Sequence, residues 1–547
     1  MRCKYSLIVF ALFAIFPPLA ASQENLRDVI DQQVQAKWQE KNVTPAPPAG
    51  DAAFLRRVYL DLCGTIPTAE EARAFLDDQS PDKRAKLIDR LLDDPRYAKH
   101  QADVWDMIYF GRNPPGFQTD KRRGFQNWLA AQFAKNTSYD RIASAILKAE
   151  GNSVEHGAPM FFVQYKGKPE EATEKITQTF LGVQLQCARC HDHPFESWTQ
   201  LDFFGTAAFF ARLDVVDLGK QKDGEKYWAI GEKNVGEVNF TGPVTEDEPG
   251  KKGTPVAPKF LHGDDLAEPE TPEDAKEERF ASGKVPPAPK FSRKDAFADW
   301  VTDKENPYFA RAIANRVWAQ FMGRGLVHPV DDMSEANDPS HPELLERLTK
   351  QLVEHNFDLK WYIRELVSSQ TYQLSSQGNV TQERPRHFER ARTRPLSAEE
   401  MVGTWRVATG YASVDNKLAE RIEKGDLFYP LTSGFHLRAF GRPADGTGNF
   451  LGGMHEQLYM NNGGISKLFS NAPGGLLNTL AEAEKDSPWE ARIETMYLSI
   501  LTRRPTAEET QKFAEYFQSA QRPDRPHDEV RDAMWVLMTC SEFRFNH

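Results

Sequence analysis

The chain has 547 residues, with 68 Lys and Arg against 79 Asp and Glu and a net charge of −11. A hydrophobic content of 40% supports real cores, 35 Gly and 35 Pro without a period exclude collagen and coiled-coil character, and five Cys are too few for a disulfide scaffold of this size. The acidic balance excludes nucleic acid as the main partner, because phosphate binding needs a concentrated basic face.

The N-terminus reads as an address. Arg2 and Lys4 precede the apolar run Leu7–Phe16, which is followed by Pro17, Pro18 and Leu19-Ala20-Ala21-Ser22. That is the layout of a signal peptide cleaved near Ala20 or Ala21, so residues 1–21 are assigned to it. The run is half of the ~20 residues a membrane span needs, and no later segment is long enough. The expectation is an exported chain, in the periplasm or at the cell surface, without a transmembrane span once mature.

Residues 22–50 read as an amphipathic helix, Glu24 to Lys41, and a Pro-rich linker, Thr44 to Gly50. Residues 51–212 are helical in pattern. Helix starts are announced by capping boxes, in which a Ser or Thr and a Glu three residues on satisfy free backbone N–H groups. Thr68 with Glu71, Ser340 with Glu343, Ser397 with Glu400, Ser487 with Glu490 and Thr506 with Glu509 all fit. Residues 213–293 are irregular, with strand patterns at Lys226–Ile230 and Val235–Phe240 and an acidic stretch, Leu266 to Glu278, that reads as a mobile surface loop or short helix. Residues 294–547 return to helical periodicity. Helices are expected at Asp295–Asp303, Pro307–Met322, Pro342–His355, Leu359–Gln370, Ala398–Thr409, Glu490–Leu501 and Asp528–Glu542, and a long irregular loop at Gly434–Gly464. The fold class is therefore mainly α: two helical domains separated by a Gly/Pro-rich segment with a small β-hairpin or sheet. One string recurs. Tyr59-Leu60 and Pro67-Thr68-Ala69-Glu70-Glu71 reappear as Tyr497-Leu498 and Pro505-Thr506-Ala507-Glu508-Glu509. Both read as helix, turn, capped helix, through duplication or independent use of a good cap.

Cys187-Ala188-Arg189-Cys190-His191 is C-x-x-C-H, the attachment signal for c-type haem. Two thiols one helical turn apart reach the two vinyl groups on one porphyrin edge, and the following His ligates iron from the proximal side. Such attachment takes place outside the cytoplasm in bacteria, in agreement with the leader. Two other readings stay open: a Cys187–Cys190 disulfide, and a transition-metal site drawing on Cys187, Cys190, His191 and His193. The sequence does not name a sixth iron ligand; Met160, Met322, Met333, His341, Met454 and His455 are the candidates. Phe195, Trp198, Phe203, Phe204, Phe209 and Phe210 either wall a haem crevice or form the core face of a helix. A second polar cluster, Asp331, Asp332, Asn337, Asp338 and His341, is either a metal or acid–base site or a loop ending in a helix capped at Ser340 with Pro342 in its first turn. Cys63 and Cys540 can pair only if the chain ends meet.

Four stretches carry a family resemblance: Phe54–Leu62 followed by Ile66-Pro67-Thr68; Phe180–Arg212, which contains the C-x-x-C-H; Asn306–Leu345; and Trp535 to His547 at the end. Together they resemble the planctomycete-type secreted cytochrome-like domain followed by its usual C-terminal partner domain. The resemblance implies a large exported protein of Planctomycetes or related bacteria, with both domains functionally uncharacterised. His193-Pro194 belongs to that signature and departs from ordinary small cytochromes c.

Three functional readings follow. The first is an exported c-type haem protein exchanging electrons with a redox partner protein or periplasmic enzyme, with Cys187 and Cys190 as anchors and His191 as proximal ligand. The second is a metal-dependent periplasmic enzyme, with polysaccharides as the candidate substrate class, that uses His191, His193, Asp331, Asp332 and His341. The third is a scaffold with a Cys187–Cys190 disulfide. Whether the chain is an enzyme stays open.

Overall fold

The structure is a computed structural model. It describes residues 25–111, 122–153, 155–220, 226–242, 253–270, 280–378, 386–410, 474–482, 488–519 and 527–547, with 458 and 469 alone in between. The expected leader, Ser487 of one expected cap, Met454, His455 and the loop expected at Gly434–Gly464 (Leu458 apart) lie outside the described residues.

The described chain is mainly α. The first half contributes α1 (Leu26–Lys41), α2 (Asp51–Cys63), α3 (Ala69–Asp77), α4 (Lys83–Leu92), α5 (Pro95–Phe110), α6 (Asn127–Ala134), α7 (Tyr139–Leu147), the short α8 (Met160–Val163), α9 (Pro169–Ile176) and α10 (Gln200–Ala208). The second half contributes α11 (Arg293–Thr302), α12 (Phe309–Met322), α13 (Pro342–Glu354), α14 (Leu359–Ser368), α15 (Ala398–Thr409), α16 (Leu476–Glu482), α17 (Trp489–Leu501), α18 (Ala507–Ser519), α19 (Asp528–Thr539) and α20 (Ser541–Arg544). Among the described residues, seven strands make small antiparallel sheets. β1 (Gly151–Asn152), β2 (Leu213–Lys220) and β3 (Lys226–Glu232) lie in the order β1-β3-β2, β4 (Val238–Asn239) pairs with β5 (Pro255–Val256), and β6 (Arg394–Pro395) pairs with β7 (Phe545–Asn546).

The capping reading holds at α3, α15 and α18, where Thr68, Ser397 and Thr506 bond the N–H of Glu71, Glu400 and Glu509 and receive the carboxylate in return. At α13 it is corrected. His341 is the N-cap, and the Ser340 hydroxyl bonds His341 Nδ1 at 2.9 Å instead of an N–H of the helix. A further box, Thr199 with Asp202, opens α10. The last expected helix breaks at Cys540, whose extended backbone separates α19 from α20. The strand at Leu213–Lys220 was not legible in the pattern; its alternation is irregular because a bulge at Asp217/Gly219 shifts the register. Of the acidic stretch, residues 266–270 are described, and there Glu268 pairs with Arg293 (2.6 Å) and Arg212 (3.0 Å); the rest lies outside the described residues.

One apolar cluster runs through both halves, from Leu26 and Phe54 to Trp318, Leu348 and Tyr362. A second gathers the C-terminal helices around Trp405, Met496 and Met534, and it includes Leu60 and Ile66. The joint between N-terminal and C-terminal segments is polar and buried. Arg57 on α2 donates to the carbonyls of Tyr372 and Leu374, and Asp61 accepts from Arg394, Tyr372 and Asn546. The chain ends therefore do meet, yet Cys63 and Cys540 remain free thiols, and Cys63 is directed at the Leu91 carbonyl.

Candidate functional site

The C-x-x-C-H segment follows a sharp turn at the end of α9. The helix loosens to a π-turn at Thr177–Leu181 and stops at Gly182, which has φ +67. A Cβ there would also come within 2.8 Å of Met333 Cγ, so this close approach requires Gly. The Gly182 carbonyl accepts from the Met333 N–H at 2.8 Å, which docks the 331–333 loop on the turn.

Cys187 lies in a single 3-10 turn, Gln186–Arg189, that Cys190 ends. Leu185 and Ala188 are fully buried and plant this turn on the core, so the residues between them face outward. Cys187 and Cys190 are both exposed free thiols, and no Cys187–Cys190 bond is formed. Arg189, between them, is tied to Glu174 at the end of α9 (3.2 Å). The loop beyond is built by its own polar groups. Asp192 accepts from the Gln200 N–H at 2.9 Å, placing a carboxylate at the N-terminus of α10 where the helix dipole favours it. The His193 N–H donates to the Trp198 carbonyl at 2.8 Å.

The two histidines are held in opposite tautomers. His191 Nδ1 lies 2.7 Å from the Asp192 carbonyl. A carbonyl only accepts, so Nδ1 carries the hydrogen and the Nε2 lone pair is left for a ligand. His193 Nδ1 instead accepts from the N–H groups of Phe195 (3.3 Å) and Glu196 (3.1 Å). Its hydrogen is therefore on Nε2, and neither nitrogen offers a lone pair to a metal.

The aromatic residues divide sharply. Trp198, Phe203, Phe204, Phe209 and Phe210 are buried core, whereas Phe195 is 83% exposed beside the motif. Trp198 stacks on His262 with ring centroids 4.3 Å apart, and His262 Nδ1 meets Tyr308 Oη at 2.8 Å. Burial and nearby Asp202 raise the Tyr308 pKa. His262 and Tyr308 escaped the sequence reading, since one sits in an irregular segment and the other at a helix start, with no spacing that links them to Cys187.

The second polar cluster does not converge. Asp332 closes a turn by accepting from the Ser334 N–H, and its carbonyl accepts from Asn337. Asp331 is the counter-charge to Lys175, whose pKa burial pulls down to about 8. His341 is only 4% exposed and faces the ring of His387, 6.1 Å away; burial lowers its pKa to about 4. No group of three or more His, Cys, Asp or Glu among the described residues is arranged to hold a metal. Of the candidate sixth ligands, Met160 is in the core, Met322 is partly buried against it, and Met333 packs on Gly182. A large cavity of ≈ 990 Å³ lies elsewhere, between α1, the 44–48 linker and the 368–374 turn; its lining, including Gln35, Gln39, Gln370, Gln373 and Arg84, contains no carboxylate, His or Cys. No helix among the described residues is long and apolar enough to cross a membrane.

Residues 29–215 match the model of the family described as PSCyt2, protein of unknown function (DUF1549). Residues 293–423 match that of PSD1, protein of unknown function (DUF1553). No curated protein and no solved structure matches the chain.

Proposed function

Starting from a chain that belongs to the family pairing a PSCyt2 (DUF1549) domain with a PSD1 (DUF1553) domain, we propose an exported c-type haem protein that exchanges electrons with a redox partner protein or periplasmic enzyme. The observation that supports this reading is the state of His191. Its Nδ1–H is spent on the Asp192 carbonyl at 2.7 Å, which orients the ring and leaves Nε2 as the ligating atom. The donor set fits the group. Cys187, within the 3-10 turn, and Cys190, at its end, present free, exposed thiols, as thioether attachment requires, and His191 follows directly.

In this reading Cys187 and Cys190 would anchor the haem and His191 Nε2 would be the proximal ligand. Bound there, haem supplies one-electron chemistry at a potential set by axial ligand and burial. The chain's own residues do the positioning. Ala188 fixes the turn, the Arg189–Glu174 pair holds it against α9, and Asp192 ties the loop to α10. His193 stays outside the ligand set by its tautomer. Phe195 offers an exposed apolar surface next to the motif, suited to a haem edge or a docking partner.

The test is a pyridine haemochrome assay on chain expressed in a host with periplasmic haem-attachment machinery, after denaturation and acid extraction. Haem that stays with the polypeptide, and is lost in the Cys187→Ala/Cys190→Ala variant, is the expected result. A colourless chain under those conditions overturns the reading, and metal analysis of the same sample then separates a metal site from a plain dithiol.

A further inference from the structure

Three segments distant in the chain bring a hydroxyl, an imidazole and a phenol together beside the C-x-x-C-H loop. Ser197 Oγ lies 3.5 Å from His262 Nε2, and His262 Nδ1 lies 2.8 Å from Tyr308 Oη. We propose that Ser197 is a nucleophile that hydrolyses carboxylic esters, with His262 as its general base and Tyr308 as the residue that positions the imidazole.

The imidazole is held in place from several sides. His262 sits in a tight hairpin, where the Phe260 N–H donates to the Asp264 carbonyl (3.2 Å) and the Leu266 N–H to the Pro258 carbonyl (2.7 Å). The Lys259 N–H donates to the Gly205 carbonyl at 3.1 Å, which docks the hairpin on α10. His262 itself has φ +52, in the left-handed region that residues with a side chain rarely enter. Such backbone persists only where the surroundings impose it, and it clusters at functional sites. The ring lies on buried Trp198, with centroids 4.3 Å and planes 19° apart. Tyr308, half-buried just before α12, holds its Nδ1 edge.

A serine hydroxyl is a weak nucleophile until a base takes its proton. The arrangement that provides this is a hydroxyl within reach of an imidazole whose other nitrogen is fixed by a third group. Ser197 Oγ has no other hydrogen-bond partner among the described residues. Its approach to Nε2 is at the long end of a hydrogen bond, as in many unliganded catalytic sites. Burial, with Asp202 nearby, raises the Tyr308 pKa, so the third group is a neutral phenol. Its oxygen accepts the Nδ1 hydrogen, which leaves the Nε2 lone pair for the serine proton. The reaction then closes with water as the only co-reactant. Ser197 Oγ bonds to the carbonyl carbon as its proton passes to His262 Nε2; the ester C–O bond breaks, and the leaving alkoxide takes that proton. Water attacks the acyl-serine and gives a proton to Nε2; the acyl–Oγ bond breaks, Oγ takes the proton back, and a carboxylic acid leaves. A neutral phenol supports the imidazolium less than a carboxylate does, which favours esters over amides with their poorer leaving group. Ser197 and His262 are exposed, so an ester reaches them directly, and Phe195, 83% exposed two residues from Ser197, offers its apolar part a surface. No step uses Cys187, Cys190 or His191, so this proposal stands apart from the haem reading.

The full chain, incubated with a fluorophosphonate, should take the phosphonyl group on Ser197, located by peptide mass mapping. Ser197→Ala should abolish that adduct and the steady-state turnover of p-nitrophenyl acetate. His262→Asn, chosen because Asn tolerates the left-handed backbone, should slow labelling by about 100-fold or more. Tyr308→Phe should lower kcat several-fold at an unchanged KM while Ser197 still labels to full stoichiometry at long times, a combination that partial misfolding would not give. The unmutated chain decides the matter even if a variant does not fold: no adduct at Ser197, or labelling there no faster than at other exposed serines, overturns the proposal. Undiminished ester turnover in S197A, or an undiminished labelling rate in H262N, overturns it as well.

Discussion

The two echoing hairpins, α2–α3 and α17–α18, invite comparison because they begin from the same string. Each pairs a Tyr on its first helix with a capping box on its second. The box geometry is the same in both, with Thr N–H to Glu at 2.8 Å and Glu N–H to Thr at 3.2 Å. Each also sets an Arg over the Tyr ring and binds that Arg to the box Glu. Arg96 lies 5.5 Å from the Tyr59 ring and 3.0 Å from Glu71; Arg503 lies 5.1 Å from the Tyr497 ring and 2.7 Å from Glu509. The source of the Arg differs. Arg96 comes from α5, a separate helix, whereas Arg503 comes from the hairpin's own turn and also reaches Glu542 at 2.6 Å. The helix ends differ likewise: Gly64 at φ +65 in the first, Thr502 at φ +63 in the second. Leu60 and Leu498, which occupy equivalent places, are buried in different clusters. A local signal thus sets the hairpin's shape, and the neighbourhood decides which groups complete it.

The sharpest way to break this likeness is at the left-handed residue. Ala at Gly64 would adopt a disfavoured backbone and bring its Cβ within 2.4 Å of His100 Nδ1. Gly64→Ala should cost about 3 kcal/mol or more in urea unfolding. Thr502→Gly, which relieves the same backbone and removes a buried, unpartnered hydroxyl, should change stability by less than about 1 kcal/mol.

Acid separates the hairpins by window. Burial holds His100, against Gly64, neutral down to about 4, below its ordinary 6.5. Between those values the unfolded chain binds a proton that the native chain does not. Stability therefore falls as pH drops from 6.5 to 4, at up to about 1.4 kcal/mol per unit for this group, with buried His341 acting in the same sense. Hydrogen bonding to Arg503 depresses Glu509 from 4.5 to about 2, so its contribution is present above 4.5 and fades as pH falls towards 2. In denaturation curves taken across pH, His100→Gln should shallow the upper limb and Glu509→Gln the lower one. An unchanged upper limb in H100Q would remove the assignment to His100.

The smallest effects should restore the likeness. Thr68→Ala and Thr506→Ala each delete one cap on an exposed helix start, and each should cost about 1 kcal/mol. Losses that differ by more than twofold would show that the boxes are not equivalent.

Much of this architecture was legible locally. Caps at Thr68, Ser397 and Thr506, Pro342 at a first turn and the 3.6-residue spacing of buried positions such as Leu344, Leu348 and Leu352 depend on neighbours within a few residues, which the sequence displays. Ser340 misled because its hydroxyl found His341 first, a competition that composition does not reveal. The same boundary runs through the candidate site. The spacing of Cys187, Cys190 and His191 is a property of the string. That His191 and His193 carry opposite tautomers follows from which backbone groups the folded loop turns towards them. The sequence by itself determined the helices, their starts and the C-x-x-C-H constellation, because these are short-range matters of backbone hydrogen bonding and side-chain periodicity. Only the tertiary structure decided that Phe195 stays outside while its aromatic neighbours form core, that His262 and Tyr308 join Trp198, and that Arg57 is buried beside a carboxylate already taken. Those outcomes depend on partners tens to hundreds of residues away, and burial turns a modest polar preference into a strong requirement once water is excluded.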